Sequence, residues 1–376
     1  NLKLDLKRRD FTINAMAYND NRGLVDEFGG IKDLKDGIIR CVGDAGQRFD
    51  EDALRMLRAV RFAGQLGFEI EDETRNAIVK RADRLENISA ERIRVELTKL
   101  LVAKEAGRLR DAYGTGMTRY FLPELDKAMV TEQKNPHHVY TVGEHSIHGI
   151  EIMNCFFEVT SDRKMYDKVP EKVMITAKKI AKKMNKKQHT ILCMAMLLHD
   201  IAKPVVMTID DDGIGHFYGH PQESEKMAKK IMRRLTFDNE SISKVCRLVK
   251  FHDYRIEDSD RAFRRAVSKI GADIMDMLFL VEYADVLSQS DKMLEEKLSK
   301  INSGVERFEY ITQNAQPLSI KELALTGSDL IAAGVKPGPN MGEILKKMLD
   351  KVLDEPEANT KENLLEYLKT MDDFSL

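Results

Sequence analysis

The sequence predicts a mostly α-helical, multi-domain protein with part of an α/β head at its N-terminus. Three observations carry that expectation. Strand-like runs bounded by glycine are confined to the residues before Gly43. From Arg48 onward apolar residues recur at helical spacing almost without interruption. The chain has 376 residues, 43% hydrophobic and 32% charged, enough core for roughly two to four helix-rich domains.

The elements follow in order. Leu24-Val25-Asp26-Glu27-Phe28-Gly29-Gly30 reads as a short strand running into a Gly-Gly turn, and Ile38 to Val42 as another strand. Leu54, Leu57, Ala59, Val60 and Phe62 mark an amphipathic helix that Asp50 can cap. Ser89 is placed to cap a further helix through Ile93, Val95, Leu97, Leu100 and Leu101. Asn135-Pro136 is a break. Residues 138 to about 312 read as helical except Thr208 to Phe217, where Asp-Asp-Asp-Gly suggests a hairpin or loop tip. Gln316-Pro317 opens a last section of small helices around Gly334 to Pro339. No internal repeat or low-complexity tract is visible.

Sixty basic residues against 62 acidic ones leave a net charge of −2. Any nucleic-acid contact must therefore come from local patches. The four cysteines (Cys41, Cys155, Cys193, Cys246) form no CxxC pair. Three lie in apolar helical contexts, which suits reduced, buried thiols in a cytoplasm. No apolar run approaches the ~20 residues of a spanning helix. No signal peptide is visible, although the chain starts at Asn1 without an initiator Met.

Two stretches carry nucleotide chemistry. In Arg8-Arg9-Asp10-Phe11-Thr12-Ile13-Asn14, a donor-rich cluster runs into an alternating apolar segment. Arginine forks suit phosphate, while Asp10 and Asn14 suit a ribose hydroxyl. Asp52 and Arg55, three residues apart, would project from one helix face and offer two acceptors beside a donor fork. Such a set matches the edges of adenine and cytosine, although taken alone an exposed ion pair, common and weak, is the better explanation. Together, Arg8 to Tyr18 and Glu51-Asp52-Ala53-Leu54-Arg55 resemble, in order and separation, two motifs of the class II tRNA nucleotidyltransferases: the CCA-adding enzymes and bacterial poly(A) polymerases.

That resemblance implies roles. Arg8, Arg9, Asp10 and Asn14 would meet triphosphate and ribose. Asp52 and Arg55 would pair with CTP or ATP and exclude GTP and UTP, and Arg58 and Arg61 would extend the basic row toward triphosphate or the RNA end. Glu51 and the Ser89-to-Glu96 segment would brace the base-reading helix, and Asp26 to Asp33 would form a joint between head and neck. The expected divisions are residues 1–43 (end of the head), 44–134 (helical neck), 135–315 (histidine-rich domain) and 316–376 (helical tail). The implied reaction adds CMP, AMP or both to the 3′ end of tRNA with Mg²⁺, by attack of the RNA hydroxyl on an α-phosphate.

The family holds that Mg²⁺ with an Asp-x-Asp pair, which is expected upstream of Arg8. Asp210-Asp211-Asp212, Asp50-Glu51-Asp52 and Gly327-Ser328 do not fit the arrangement. These 376 residues by themselves are accordingly expected to bind tRNA weakly and add no nucleotide.

A second constellation is built on histidine. His199-Asp200 ends the apolar run Ile191 to Leu198, and an unpaired buried aspartate there would cost several kcal/mol unless a metal satisfied it. With His145, His220, His252 and Asp285, the order resembles the HD phosphohydrolase superfamily. That resemblance implies a metal site of imidazole and carboxylate, suited to Mn, Fe, Ni, Co or Mg more than to zinc, with Asp200 shared by two ions. His148, His189 and His216 read as ordinary core or surface residues, and His137 and His138 as possible phosphate contacts. In the tail, Lys336 and Gly338 stand ahead of a helix where free amides could hold an RNA phosphate; a plain tight turn is the even alternative. The expected partners are tRNA, CTP and ATP, with no membrane. The alternatives are a metal-dependent phosphohydrolase that kept a nucleotide-binding module, or a poly(A) polymerase.

Overall fold

The computed structural model describes residues 2–134, 139–160, 167, 169–290 and 292–371 and is 67% helical. Among the described residues there are three small sheets of two strands each. They grouped into two compact units: residues 2–253 with 280–298, and residues 254–279 with 299–371.

In the first unit, the alternating segment after Asp10 closes into a 3-10 turn, Thr12–Asn14, with Phe11 and Ala15 fully buried on either side. The strand begins only at Met16 and pairs antiparallel with Gly23–Asp26, Met16 opposite Asp26. The Asp26 carboxylate then accepts from the backbone N–H groups of Gly30 (2.8 Å) and Ile31 (2.9 Å). It thereby satisfies the start of the helix Gly30–Asp36. Gly30 is required there, because a Cβ would collide with the Thr12 carbonyl. Ile38–Ile39 forms a strand parallel to Glu69–Ile70, shorter than the run to Val42 that the sequence suggests.

The neck corrects two expectations. Asp44 caps a helix, Ala45–Glu51, that stops at Asp52, whose backbone is extended (φ −153°). A new helix, Leu54–Leu66, follows, so Asp52 and Arg55 do not share a helix. Asp50 caps neither; it pairs with Arg81 (2.9 Å) and Arg84 (3.2 Å). The Asp52 carboxylate instead accepts from the Leu54 N–H at 3.2 Å. Ser89 occupies the N-cap position of Ala90–Leu101, but its hydroxyl makes no capping bond.

The histidine-bearing helices follow: Val142–Phe156, Lys186–Leu198, His220–Arg234 and Asn239–Phe251. Asn185 and Gln188 form a capping box ahead of the second. The stretch Lys186–Val206 has the length and composition of a membrane span, contrary to the sequence reading, yet 78% of its apolar window is buried inside the fold. It is a core helix. All four cysteines are buried and none is in a disulfide.

One polar pin ties these helices to the neck. Asn154 donates to the carbonyls of Leu101 (3.0 Å) and Ala103 (3.1 Å) and accepts from His189 Nε2 at 2.8 Å. The Phe157 ring stacks on His189 at 3.9 Å.

In the second unit, the helix Asp260–Ile270 packs on Asn340–Asp354. Arg264 donates to the Leu353 carbonyl (2.7 Å), and Arg265 binds the Asp354 carboxylate (2.7 and 3.0 Å). Leu325, Leu330, Met348, Val352, Leu364 and Leu368 form the core. These bonds group residues 254–279 with the tail, so the compact units do not follow the divisions near residues 134 and 315 drawn from sequence.

Burial pushes the His189 imidazole down to about 4, so folding favours its neutral form. Below pH 6.5 the unfolded chain takes up a proton that the folded chain refuses, and stability falls as pH drops from 6.5 toward 4. Between pH 7 and pH 4.5 this group should remove on the order of 2 kcal/mol. Urea denaturation of wild type and His189→Gln should show that much less acid sensitivity in the variant. Equal losses would place the sensitivity elsewhere.

Candidate functional site

Residues 7–10 and 48–58 are stitched together by arginines. Asp10 is 7% exposed; its carboxylate accepts from the Phe11 N–H (2.9 Å), Asn14 Nδ2 (3.1 Å) and Arg58 Nε (2.8 Å). Burial alone would raise its pKa, but the Arg58 guanidinium and the two amides outweigh burial and lower it. Arg55 donates to the carbonyls of Arg8 (2.9 Å) and Arg48 (3.2 Å) and to Glu51 (2.9 Å). Asp52 is held by Arg92 at 2.7 Å. Arg9 is exposed beside Asp5. Arg61 does not reach this surface: it is 6% exposed and bonded to Glu96 and Gln65, with Phe62 under its guanidinium at 3.7 Å. A row read along one helix could not reveal that Glu96, 35 positions away, turns Arg61 inward. A polar cleft of about 580 Å³ nearby is lined by Thr12, Arg40, Asp44, Glu71, Lys80 and Arg81. None of the eight nucleotide-site residues expected from sequence lines it.

The structure brings all six histidine-site residues together. His145 Nε2 lies 2.8 Å from Asp285 Oδ1, 3.2 Å from His199 Nε2 and 3.6 Å from Asp200 Oδ2. On the other side of Asp200, its Oδ1 is 3.2 Å from His220 Nε2 and 3.6 Å from His252 Nε2. The result is two groups of potential ligands that share Asp200: His145 with His199, and His220 with His252.

The tautomers follow from the second shell. Each Nδ1 faces a backbone carbonyl: Ser288 for His145 (3.2 Å), Met196 for His199 (2.8 Å), Phe217 for His220 (2.9 Å) and Val249 for His252 (2.7 Å). With Nδ1–H donating, the Nε2 lone pairs point inward. Paired lone pairs at 3.2 and 3.4 Å repel unless a cation or proton sits between them. Asp200 Oδ1, fully buried, has no hydrogen-bond partner.

The electrostatics agree. Burial opposes charge on His199, yet Asp200 and Asp285 overcome it and push the imidazole up to about 10. Burial would raise both carboxyls, but the surrounding histidines, with Lys203 at Asp200, hold them well below the usual range. The pocket demands positive charge, and its donor set of imidazole and carboxylate fits divalent ions.

Three residues here escaped the sequence reading. Lys203 Nζ lies 2.6 Å from Asp200 Oδ2 and 2.8 Å from Gln133 Oε1, and its signal was its place one turn after Asp200. Ser288 Oγ lies 3.0 Å from His145 Nδ1. Burial, with Asp285 and Asp253 near, pushes Glu282 up to about 8. His148 pairs with Glu151 and His216 with Asp210, outside the cluster. His137 and His138 lie outside the described residues. In the second unit, Lys336 and Gly338 are exposed ahead of the helix Asn340–Asp354.

Comparisons with known proteins bear on both regions. Residues 1–40 match the poly A polymerase head domain, 67–129 the probable RNA and SrmB-binding site of polymerase A, and 217–368 the putative domain 2 of tRNA nucleotidyltransferase. The CCA-adding enzyme of Leuconostoc mesenteroides is 54% identical over 107 residues, 28% of this chain and 27% of that one. The match therefore spans well under a third of that relative's length. The solved CCA-adding enzyme of Bacillus stearothermophilus, in complex with CTP, has the same fold: TM-score 0.63, 23% identity, covering 98% of this chain and 74% of that one. The A-adding tRNA nucleotidyltransferase of Deinococcus radiodurans is 30% identical over 365 residues, 93% of this chain and 75% of its own. On that breadth of similarity, the chain belongs to the family of tRNA nucleotidyltransferases and bacterial poly(A) polymerases.

Proposed function

We propose that this protein extends the 3′ end of tRNA with CMP, AMP or both, in the cytoplasm, using CTP and ATP. The observation that carries the reading is the stitching of Arg8–Asp10 to Asp52–Arg58 through Arg55 and the Asp10–Arg58 ion pair. It sets phosphate-type donors beside a half-exposed acceptor and fork of the kind that reads a base edge. Arg8, Arg9, Asp10 and Asn14 take triphosphate and ribose, with Arg58 holding Asp10; Asp52 and Arg55 take the base. Lys336 and the backbone at Gly338 take an RNA phosphate. Relatives that add CCA or A, and solved neighbours bound to CTP, ATP or tRNA, support it. Nucleotidyl transfer in this family uses a divalent metal such as Mg²⁺. Among the described residues the groups arranged to hold a metal are the two at Asp200, so no step is assigned to that Mg²⁺.

The test is incorporation of labelled nucleotides into tRNA lacking its 3′ end by the full-length protein. Asp52→Ala or Arg55→Ala should relax choice against GTP and UTP by about tenfold or more, as expected from roughly 1–3 kcal/mol for a lost hydrogen-bonding group. Normal activity with unchanged nucleotide preference would defeat the assignment.

A second activity is favoured by the facing Nε2 lone pairs and the orphaned Asp200 oxygen. We infer a metal-dependent phosphohydrolase site, with His145, His199, Asp200 and Asp285 holding one ion and Asp200, His220 and His252 the other. Ions bound there supply hydroxide and clamp a phosphoryl group. The carbonyls behind each imidazole fix the ligands, and Lys203 balances the shared carboxylate. Ni²⁺, Mn²⁺ or Co²⁺ should support hydrolysis of 2′,3′-cyclic nucleotides. Asp200→Ala should abolish that hydrolysis and the bound metal while leaving nucleotide addition largely intact. A protein that binds no ion and hydrolyses nothing under any of these metals would have only a supporting histidine domain.

A further inference from the structure

The segment Lys203–His220 begins and ends beside one carboxylate. Lys203 Nζ is 2.6 Å from Asp200 Oδ2, and His220 Nε2 is 3.2 Å from Asp200 Oδ1. What lies between is therefore held at the rim of the histidine site. It contains a short helix, Lys203–Val206, and the hairpin of Thr208–Ile209 with Gly215–His216.

This rim is unusual in what it exposes. Tyr218 is 79% exposed, the highest value of any large apolar side chain among the described residues, and Val205 (62%) and Ile209 (53%) accompany it. The Tyr218 ring is nonetheless held in place. It lies parallel to His216, with an interplanar angle of 5° and centroids 5.4 Å apart. His216 Nε2–H donates to Asp210 Oδ2 at 2.7 Å, which leaves Nδ1 as an acceptor 3.5 Å from the Tyr218 hydroxyl. Asp210 is itself fixed by the N–H groups of Asp212 (3.1 Å) and Ile214 (2.8 Å). Within the same turn, Phe217 presents its carbonyl to His220 and its ring to Lys203 Nζ at 5.2 Å. An exposed aromatic face whose orientation is already set loses little entropy on meeting a flat partner, and nucleobases stack on such faces whatever their sequence.

We propose that Tyr218, oriented by the Asp210–His216 relay, is the base-contacting, specificity-determining residue of the histidine site, favouring phosphoesters that carry a nucleobase over those that do not. The base lies against Tyr218 while its phosphate faces the cluster around Asp200. The proposal deepens the phosphohydrolase reading and rests on it for the phosphate's position.

Two measurements test it separately. In protein carrying ¹³C-labelled tyrosine, the ring signal lost in Tyr218→Phe identifies Tyr218 among the 10 tyrosines. Adenosine 2′-monophosphate should shift that signal through the ring current of its base, and ribose 5-phosphate should not. In the Mn²⁺-loaded protein, Tyr218→Ala should lower the ratio of kcat/KM for 2′,3′-cyclic AMP to that for glycerol 2-phosphate by about tenfold, and Tyr218→Phe should restore it. A ring signal indifferent to the base, or a ratio unchanged by Tyr218→Ala, overturns the proposal. Base-dependent shifts without any hydrolysis would keep the base contact and remove the phosphohydrolase reading alone.

Discussion

A carboxylate taken out of water must be answered by charge, and Asp200 is almost entirely buried. The interior magnifies that demand, because an unanswered ion there costs several kcal/mol. The fold meets it with helix ends. His199 and His252 are the C-caps of their helices, and each anchors Nδ1 on the carbonyl three residues back, Met196 and Val249. His220 uses the same device with Phe217. Only His145, in the first turn of its helix, borrows carbonyl and hydroxyl from another segment, at Ser288. Most of the site is thus built from one local geometry repeated at helix termini.

The two functional regions solve opposite problems. The arginines around Asp52 are satisfied by the protein itself, through carbonyls of Arg8 and Arg48 and through Glu51. On the proposed reading, a nucleotide arriving there would exchange partners and would not fill a deficit. The histidine site is in deficit as it stands: lone pairs face each other and a carboxylate oxygen has no donor. The first arrangement favours discrimination between ligands; the second favours tight retention of a cation.

How much of this the sequence displayed depends on the range of each interaction. The six histidine-site residues were legible because imidazole beside carboxylate is rare at the end of an apolar run and the ordered set is rarer still. Gln133, Glu282 and Ser288 were not, since nothing in their type separates them from other polar residues until the helices meet. The break at Asp52 was hidden because Phe49 to Leu57 contains neither Gly nor Pro and keeps an apolar rhythm across it. Arg61 looked like an outward basic residue because its partner Glu96 arrives from another helix. The strand around Leu24 was legible from the glycines that follow it, but its pairing with Met16–Asn19 and the turn at Thr12–Asn14 were not, because the turn depends on Asp10 gathering the Phe11 N–H and the Asn14 amide.

The Asn154 pin has a consequence for recombining such chains. Its amide spans the carbonyls of Leu101 and Ala103 while its oxygen holds His189, so one side chain closes the C-terminal end of a neck helix and orients a core helix of the histidine region. A chimera joined anywhere between residues 104 and 153 inherits the carbonyls from one parent and the amide from the other. The graft is compatible only if both parents present that three-way junction in the same register; otherwise two buried carbonyls and an imidazole lose their partners together. The inheritable module is therefore neck end plus histidine helices, and a splice site chosen by loop position alone would cut through it.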